Sequence, residues 1–290
     1  MNANESRDVD LTNCDREPIH RLGLIQPFGA LIAATSDWMV AHRSLNVEAI
    51  LGLDAEIGLG SPLAPRFSRE AFEIIRERFD AASETGEVER VFGLDLFGDH
   101  RMFDLAIHQS GRLAVLEVER HDRDAIPQHT GTLRPIMAKL GECRSVEDLC
   151  KEAARQMKRL LGFDRVMVYR FHPDLSGEVV AEAREPGLET FLGLRYPQSD
   201  IPQQARALYL RNLFRIISDV NAEPVPIEPE FNLEGAPLDL SMSVLRAVSP
   251  IHIEYLHNMG VGASLSISIV IRGKLWGLFA CHHYGPRILP

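Results

Sequence analysis

Hydrophobic residues in the first 120 positions of this 290-residue chain recur mainly in short continuous or alternating runs, the pattern of buried and half-buried strands. Five runs predict strands: Ala30–Ala34, Trp38–Ala41, Val91–Phe97, Met102–Ile107 and Leu113–Val118. Between the second and third runs, Ser68 precedes a stretch in which Phe72, Ile75 and Phe79 recur at helical spacing. The pattern therefore predicts a small mixed sheet with a few helices.

Periodicity breaks in the segment that follows, which contains several charges, Pro127 and Gly131. Such a break between two patterned regions is typical of a connection between domains, and the chain length favours two domains of ordinary size. We therefore predict a first domain at residues 1–121, a linker at 122–132 and a second domain at 133–290.

The second domain is predicted to begin with a helix whose two ends are marked in the sequence. Ser145 is a capping residue, Asp148 occupies the acidic position of a capping box, and Gly162 follows the last apolar residue. The apolar residues predicted to form one face of this helix are Val146, Leu149, Ala153, Met157 and Leu160.

Strands are predicted next at Val166–Phe171 and Glu178–Ala181, and the strongest hairpin signal joins residues 264–271 to residues 275–283 through Arg272-Gly273. Side chains alternate between the two faces of a strand. One face of the first hairpin strand is therefore apolar, while the other carries the hydroxyl groups of Ser264, Ser266 and Ser268.

Composition excludes several classes of protein. A formal net charge of -10 argues against a nucleic-acid-binding protein, which needs a basic face. No apolar run approaches the roughly 18 residues of a membrane-spanning helix, and the polar N-terminus lacks a signal peptide. Four cysteines without CxxC spacing are expected to be reduced thiols. The protein is therefore expected to be soluble and cytoplasmic, with neither nucleic acid nor membrane as a partner.

Two residues in the C-terminal half are candidates for chemistry. Asp200 lies two positions before Pro202, where it can cap the helix that begins near this proline. Capping leaves its backbone carbonyl free to serve a ligand, so the two roles are compatible. His252 follows Pro250 in an apolar stretch and is either a structural histidine or a ligand contact. An acid–base pair of these two residues would suit an enzyme, but the sequence supplies no nucleophile elbow, phosphate loop or metal set to complete it.

Two arginines, Arg215 and Arg246, lie in apolar surroundings. A buried guanidinium needs either an internal carboxylate or an acidic ligand, and two of them suit a ligand with two carboxylates. Cys281, His282 and His283 suggest a metal site at first sight. Neighbouring residues on a strand point to opposite faces, so only the first and third can share a side, which disfavours structural zinc.

Five segments of the chain together resemble the chromophore-binding part of bacteriophytochromes, which are biliverdin-binding red/far-red photoreceptors. The resemblance covers about residues 10–285. The segments that carry it are Asn13–His20, Ile25–Gly29, Tyr196–Pro202, Ser249–His252 and Trp276–His283.

The resemblance implies an α+β chain with a PAS domain followed by a GAF domain, each a mostly antiparallel sheet flanked by helices. It also implies an N-terminal figure-of-eight knot that contains Ile25, and a homodimer that signals through an output module such as a histidine kinase. Neither that module nor the PHY domain is present in this sequence. We therefore expect no enzymatic activity from the chain, incomplete photoconversion and appreciable fluorescence.

For the site, the resemblance implies that Cys14 forms a thioether with the A-ring vinyl group of the bilin. The attachment cysteine of plant-type proteins would fall at position 253, which is Ile253 here, so the resemblance implies biliverdin IXα rather than a phytobilin. Light is then expected to isomerise the bond between rings C and D. The Asp200 carbonyl and His252 would hold the pyrrole nitrogens, and His282 the D-ring carbonyl. Residues expected at the propionates are Arg215, Arg246, Tyr209, Ser264 and Ser266. Residues expected around the D ring are Tyr169, Tyr196 and Tyr255.

One further hypothesis is a GAF-type sensor of another small acidic ligand, such as a cyclic nucleotide. It accounts for the fold and for the two arginines, but it leaves the segment around Cys14 without a function.

Overall fold

The computed structural model describes residues 18–122, 130–232 and 234–289, without the side chains of 130–132. The elements of the first part are β1 (Leu24–Ile25), β2 (Gly29–Ala34), β3 (Val40–Ser44), α1 (Val47–Leu51), α2 (Arg69–Thr85), β4 (Glu89–Asp95), β5 (Met102–Ser110) and β6 (Leu113–Arg120). The elements of the second part are α3 (Thr130–Gly141), α4 (Val146–Leu161), β7 (Arg165–Phe171), β8 (Gly177–Arg184), β9 (Arg195–Tyr196), α5 (Gln203–Arg211), β10 (Phe214–Ile217), β11 (Val225–Glu228), α6 (Pro250–Asn258), β12 (Ala263–Ile271) and β13 (Lys274–His283).

The strands form two sheets. One has seven strands in the order β1-β11-β3-β2-β6-β5-β4, and the other has six in the order β10-β12-β13-β7-β8-β9. Every strand pair in the described ranges is antiparallel. The α+β prediction is confirmed, whereas the mixed sheet predicted from periodicity is wrong, because short apolar runs do not specify the direction of their neighbours.

The first sheet buries one face against α1 and α2. Ser68 caps α2 by accepting a hydrogen bond from Ala71 N (3.2 Å), as predicted. Phe72 and Phe79 make edge contacts with Trp38, at ring-centroid distances of 5.2 and 5.6 Å. These aromatic contacts help to pack α2 against the apolar core of the sheet.

The predicted helix α4 is confirmed, with Ser145 as its N-cap and Gly162 in the left-handed conformation at its end. Part of the predicted apolar face is exposed, since Val146 and Leu149 are 63% and 41% exposed, whereas Met157 of the same face packs against the core. The helix packs on its sheet through a neighbouring stripe that includes Cys150 and Ala154. It carries two apolar stripes, and the sequence does not specify which of them faces the sheet.

The N-terminal segment connects the two parts of the chain. β1 pairs with β11, which the chain reaches only after β10 of the other sheet. On its other side, Gln26 N donates to Leu245 O (2.7 Å), and Ala247 N donates to Leu24 O (3.0 Å). Residues 24–26 are therefore held from both sides by later segments of the chain, which is consistent with the expected knot around Ile25.

The predicted linker overlaps residues 123–129, which lie outside the described ranges, so the domain boundaries remain a prediction. In the parts of the chain that the structure describes, no helix combines the length and the apolar content that crossing a membrane requires.

Candidate ligand-binding site

Two adjoining cavities, about 470 Å³ and about 100 Å³ in volume, are bounded by α5, α6 and β12. The larger volume lies in the range of small-molecule sites. All eleven site residues predicted in the described ranges line at least one of the two cavities. Those that line both are Asp200, Tyr209, His252, Tyr255, Ser264 and Ser266.

Asp200 ends a short 3₁₀ turn formed by Gln198–Asp200. The capping interpretation of this residue is wrong, because α5 begins after Pro202 and receives no side-chain hydrogen bond at its N-cap. Burial raises the pKa of the Asp200 carboxyl group, and a hydrogen bond from Ser199 opposes this rise. The aspartate thus belongs to the wall of both cavities rather than to the helix.

His252 lies in the first turn of α6 and stacks on Tyr255, with ring centroids 6.1 Å apart. Burial lowers the pKa of His252 to about 4, and the positive charges of Arg215 and Arg246 lower it further in the same direction. The imidazole is therefore neutral near pH 7. In this form it has one nitrogen that donates and one that accepts a hydrogen bond.

His282 lies on β13 and lines the smaller cavity. Burial lowers its pKa to about 4, with smaller contributions from Arg165 and His252. Its Nδ1 is buried and has no hydrogen-bond partner among the described residues. An unpaired buried polar atom is costly, so this nitrogen is suited to meet a polar group of a ligand.

The two arginines line the larger cavity. Arg215 donates hydrogen bonds to the carbonyl oxygens of Arg246 (2.6 Å) and Ala247 (3.0 Å), and Arg246 Nη1 donates to Ile19 O (2.8 Å). Neither forms an ion pair with a carboxylate in the described ranges, so no internal acidic partner of either arginine lies there. Burial lowers the pKa of both groups. Two buried cations with no counterion in the part of the chain that the structure describes favour an acidic ligand.

Strand register explains why hydroxyl groups accompany the arginines. In the β10–β12 pair, Arg215 lies directly opposite Ser266, and Ile217 lies opposite Ser264. Opposite residues share a face of the sheet. Ser264 and Ser266 of the predicted serine face therefore line the cavity, whereas the Ser268 hydroxyl donates to Tyr209 O (2.7 Å). Leu265 on the other face is fully buried in the core.

Tyr169 and Tyr196 line the smaller cavity, with ring centroids 5.9 Å apart. The ring of Tyr169 fills the space above Gly177 so closely that a Cβ atom there would lie 1.8 Å from the tyrosine Cζ. Burial raises the pKa of Tyr169, so its phenol is neutral and can donate a hydrogen bond.

Comparison with known proteins decides the family. A family model described as PAS fold matches residues 14–121, and one described as GAF domain matches residues 145–290. The chain is 44% identical to a bacteriophytochrome of Pseudomonas aeruginosa over 97% of its own length. The solved chromophore-binding domain of a Stigmatella aurantiaca bacteriophytochrome, a mutant in the Pr state, superposes with a TM-score of 0.84 at 41% identity, covering 96% of this chain and 93% of that one. This chain belongs to the bacteriophytochrome family.

A cyanobacterial phytochrome B of Nostoc is 41% identical over 100% of the chain. The chain spans 38% of the Pseudomonas bacteriophytochrome and 40% of the Nostoc phytochrome. The predicted order of a PAS domain followed by a GAF domain is confirmed. Cys14, the predicted attachment residue of this bacteriophytochrome chain, lies outside the described residues.

Several residues of the smaller cavity were missed in the sequence. They are Met167, Val179, Phe191, Met259 and Leu278. Two of them could have been found by alternation, since Met167 lies two positions before Tyr169 on β7, and Leu278 lies four before His282 on β13. Phe191 lies in the connection between β8 and β9, where no periodicity marks its direction.

Proposed function

We propose that this chain binds a bilin covalently and is the light-sensing part of a red/far-red photoreceptor. The observation that supports the proposal is that two adjoining cavities share lining residues and differ in the chemistry of their walls. At one end, the buried arginines Arg215 and Arg246 have no carboxylate partner among the described residues, and at the other end, aromatic side chains surround His282. A bilin has two carboxylates on its body and a terminal ring with a carbonyl group, and thus matches both ends.

In this arrangement, the arginines hold the propionates together with Tyr209, Ser264 and Ser266. Guanidinium groups bind carboxylates through paired hydrogen bonds, which orient the ligand as well as attract it. His282 donates to or accepts from the terminal ring, and Tyr169, Tyr196 and Tyr255 line the space around that ring.

Asp200 and His252 would lie against the pyrrole nitrogens. A neutral His252 can accept a hydrogen bond from a protonated pyrrole nitrogen, and its pKa is depressed by burial and by the positive charges of Arg215 and Arg246. Ligand carboxylates at the two arginines reduce that positive field. Binding is therefore expected to make a protonated, positively charged chromophore less costly beside a neutral His252.

The bound group we propose is biliverdin IXα, attached to Cys14 by a thioether. Ile19, five positions after this cysteine, lines the larger cavity. Five residues of extended chain span at most about 18 Å, so an attachment within the site is within reach of the chain. Once bound, the bilin supplies light absorption and isomerisation between rings C and D, while the protein orients it and excludes water.

For the full-length protein, we propose a cytoplasmic homodimer that signals through a separate output module, with no catalytic activity in this chain. With the domain boundaries proposed above, most of the site lies in the second domain, while Ile19 and the proposed attachment residue Cys14 belong to the first. No feature of the described site favours the cyclic-nucleotide hypothesis.

The test is a visible absorption spectrum of the purified chain after it is mixed with biliverdin under reducing conditions, before and after red light. We expect a far-red band that red light changes only in part. We also expect the pigment to stay attached to the chain after denaturation. Cyclic AMP and cyclic GMP, tested by equilibrium dialysis, are expected not to bind. A colourless protein, or one that binds a cyclic nucleotide instead, would contradict the proposal.

A further inference from the structure

Glu117 is a buried carboxylate of the first sheet that contacts the wall of the site. It lies on β6 and is 1% exposed. The hydroxyl group of Ser243 and the N–H of Leu245 (2.7 Å) donate to its Oε1, and the N–H of Val244 (3.0 Å) donates to its Oε2. Three consecutive residues of the second part of the chain are thus fixed by one side chain from the first.

These three residues immediately precede Arg246. The Oγ of Ser243 also accepts a hydrogen bond from Arg246 N (3.1 Å), and the carbonyl oxygen of Arg246 accepts one from Arg215 (2.6 Å). The backbone of Arg246 is therefore held on one side through Ser243 and Glu117, and on the other by the second arginine. Ser243 and Arg246 both line the larger cavity, whereas Glu117 does not.

We propose that Glu117 is a positioning residue that holds Arg246 in the orientation required to receive a carboxylate of the bilin. The first domain would in this way set the affinity of a site formed by the second. The inference rests on the proposed function, since it assumes that a carboxylate of the ligand meets Arg246.

A glutamine at this position preserves size but not the bonding pattern. Its amide has one accepting oxygen and one NH₂ group, and the NH₂ cannot accept a hydrogen bond from an N–H donor. In either orientation at least one buried donor of residues 243–245 loses its acceptor. The Glu117→Gln variant therefore releases the segment that fixes Arg246 and leaves the cavity lining unchanged.

The matched control is Glu119→Gln, two positions along the same strand and on the same face. No hydrogen bond joins Glu119 to residues 243–245 in the described structure. Burial raises the pKa of Glu119 to about 7, so the variants are compared at about pH 8.5, where Glu119 is ionised and its replacement also removes a negative charge. A difference between the two variants then reports the hydrogen bonds to this segment.

The experiment is an absorbance titration made in the Cys14→Ser background, so that pigment binding is reversible. It compares the otherwise unchanged chain with Glu117→Gln, Glu119→Gln, Arg246→Ala and the double variant Glu117→Gln/Arg246→Ala. Each is titrated with biliverdin and with biliverdin dimethyl ester, which lacks the free carboxylates. For Glu117→Gln we expect affinity for biliverdin to fall about tenfold, the scale of one lost hydrogen bond to a charged group. We expect three effects to stay below about twofold. They are the effect of Glu117→Gln on affinity for the ester, the effect of Glu119→Gln on affinity for biliverdin, and the effect of Glu117→Gln on biliverdin affinity when Arg246 is already alanine.

Any of three results would overturn the inference. The first is an equal loss of affinity for biliverdin and its ester in Glu117→Gln, and the second is an equal loss of biliverdin affinity in Glu117→Gln and Glu119→Gln. The third is an undiminished effect of Glu117→Gln when Arg246 is alanine. A wild-type chain that binds neither pigment overturns the proposed function instead, so the two failures are distinguishable. Should circular dichroism show that Glu117→Gln does not fold, Ser243→Ala decides. It breaks the same connection, and it must lose affinity for the acid more than for the ester, or the inference is wrong.

Discussion

The depressed pKa values of the two cavity histidines predict that acid destabilises the ligand-free protein. His282 is 7% exposed, and burial lowers its pKa from 6.5 to about 4. The unfolded chain therefore binds a proton at this residue between those values while the folded chain does not. Because the unfolded state binds more protons in this window, the free energy of unfolding falls as the pH falls from about 6.5 to about 4.

The magnitude follows from the two pKa values. One pKa unit corresponds to about 1.4 kcal/mol, so a group that titrates at 6.5 when unfolded and at about 4 when folded costs about 2 kcal/mol between pH 7 and pH 5. His252 has a shift of similar size and contributes a comparable amount. Replacing His282 with glutamine removes its proton uptake, so the His282→Gln variant should lose about 2 kcal/mol less than wild type over this interval.

Urea unfolding at pH 7 and pH 5, followed by circular dichroism on the pigment-free chain, measures the difference. Comparing each protein with itself at two pH values cancels the cost of the substitution in packing. The control is the His257→Gln variant, since this histidine is exposed on α6. If the His282→Gln variant loses as much stability as wild type, the histidine does not stay neutral in the folded state and the reasoning fails.

Three further predictions concern the pigment and its surroundings. Cys14→Ser is expected to bind biliverdin reversibly and to lose it on a denaturing gel; pigment that stays with the denatured chain would mean that another thiol reacts. Arg246→Ala should weaken biliverdin binding by about 1.5 to 3 kcal/mol in an absorbance titration, and an unchanged affinity would remove this arginine from the site. Gly177→Ala should displace the ring of Tyr169 and cost about 1 to 3 kcal/mol of stability in urea unfolding, because the added Cβ would lie 1.8 Å from that ring. Wild-type stability for this variant would show that the ring moves freely.

The sequence predicted elements best where local chemistry determines them. Ser68 and Ser145 both cap the helices they were predicted to begin, because a capping hydrogen bond depends on neighbouring residues. The hairpin across Arg272-Gly273 also formed as predicted, because a tight turn depends on the residues within it. The buried stripe of α4 could not be predicted, since it depends on which surface of the helix meets a distant sheet.

The site shows the same division. Alternation along β12 predicted that Ser264 and Ser266 share a face, and the structure places both in the cavity wall. The role of Glu117 could not be predicted from local pattern, because its three hydrogen-bond donors lie 126 to 128 residues later in the chain. The resemblance to a known family assigned residues from distant segments to one pocket. It did not identify Glu117, whose carboxylate accepts hydrogen bonds from the segment that precedes Arg246.

The insertion of β11 between β1 and β3 has a consequence for any attempt to divide the molecule. A protease cut between residues 122 and 130 would leave two fragments that still share a sheet, further joined by the ion pair of Arg43 with Glu228. Such fragments should co-elute after nicking. If the first half were produced by itself, β3 would lose its partner β11 and its backbone N–H and C=O groups would be exposed. Such an unpaired edge strand can pair with a second copy of the fragment, whereas in the intact chain β11 covers it.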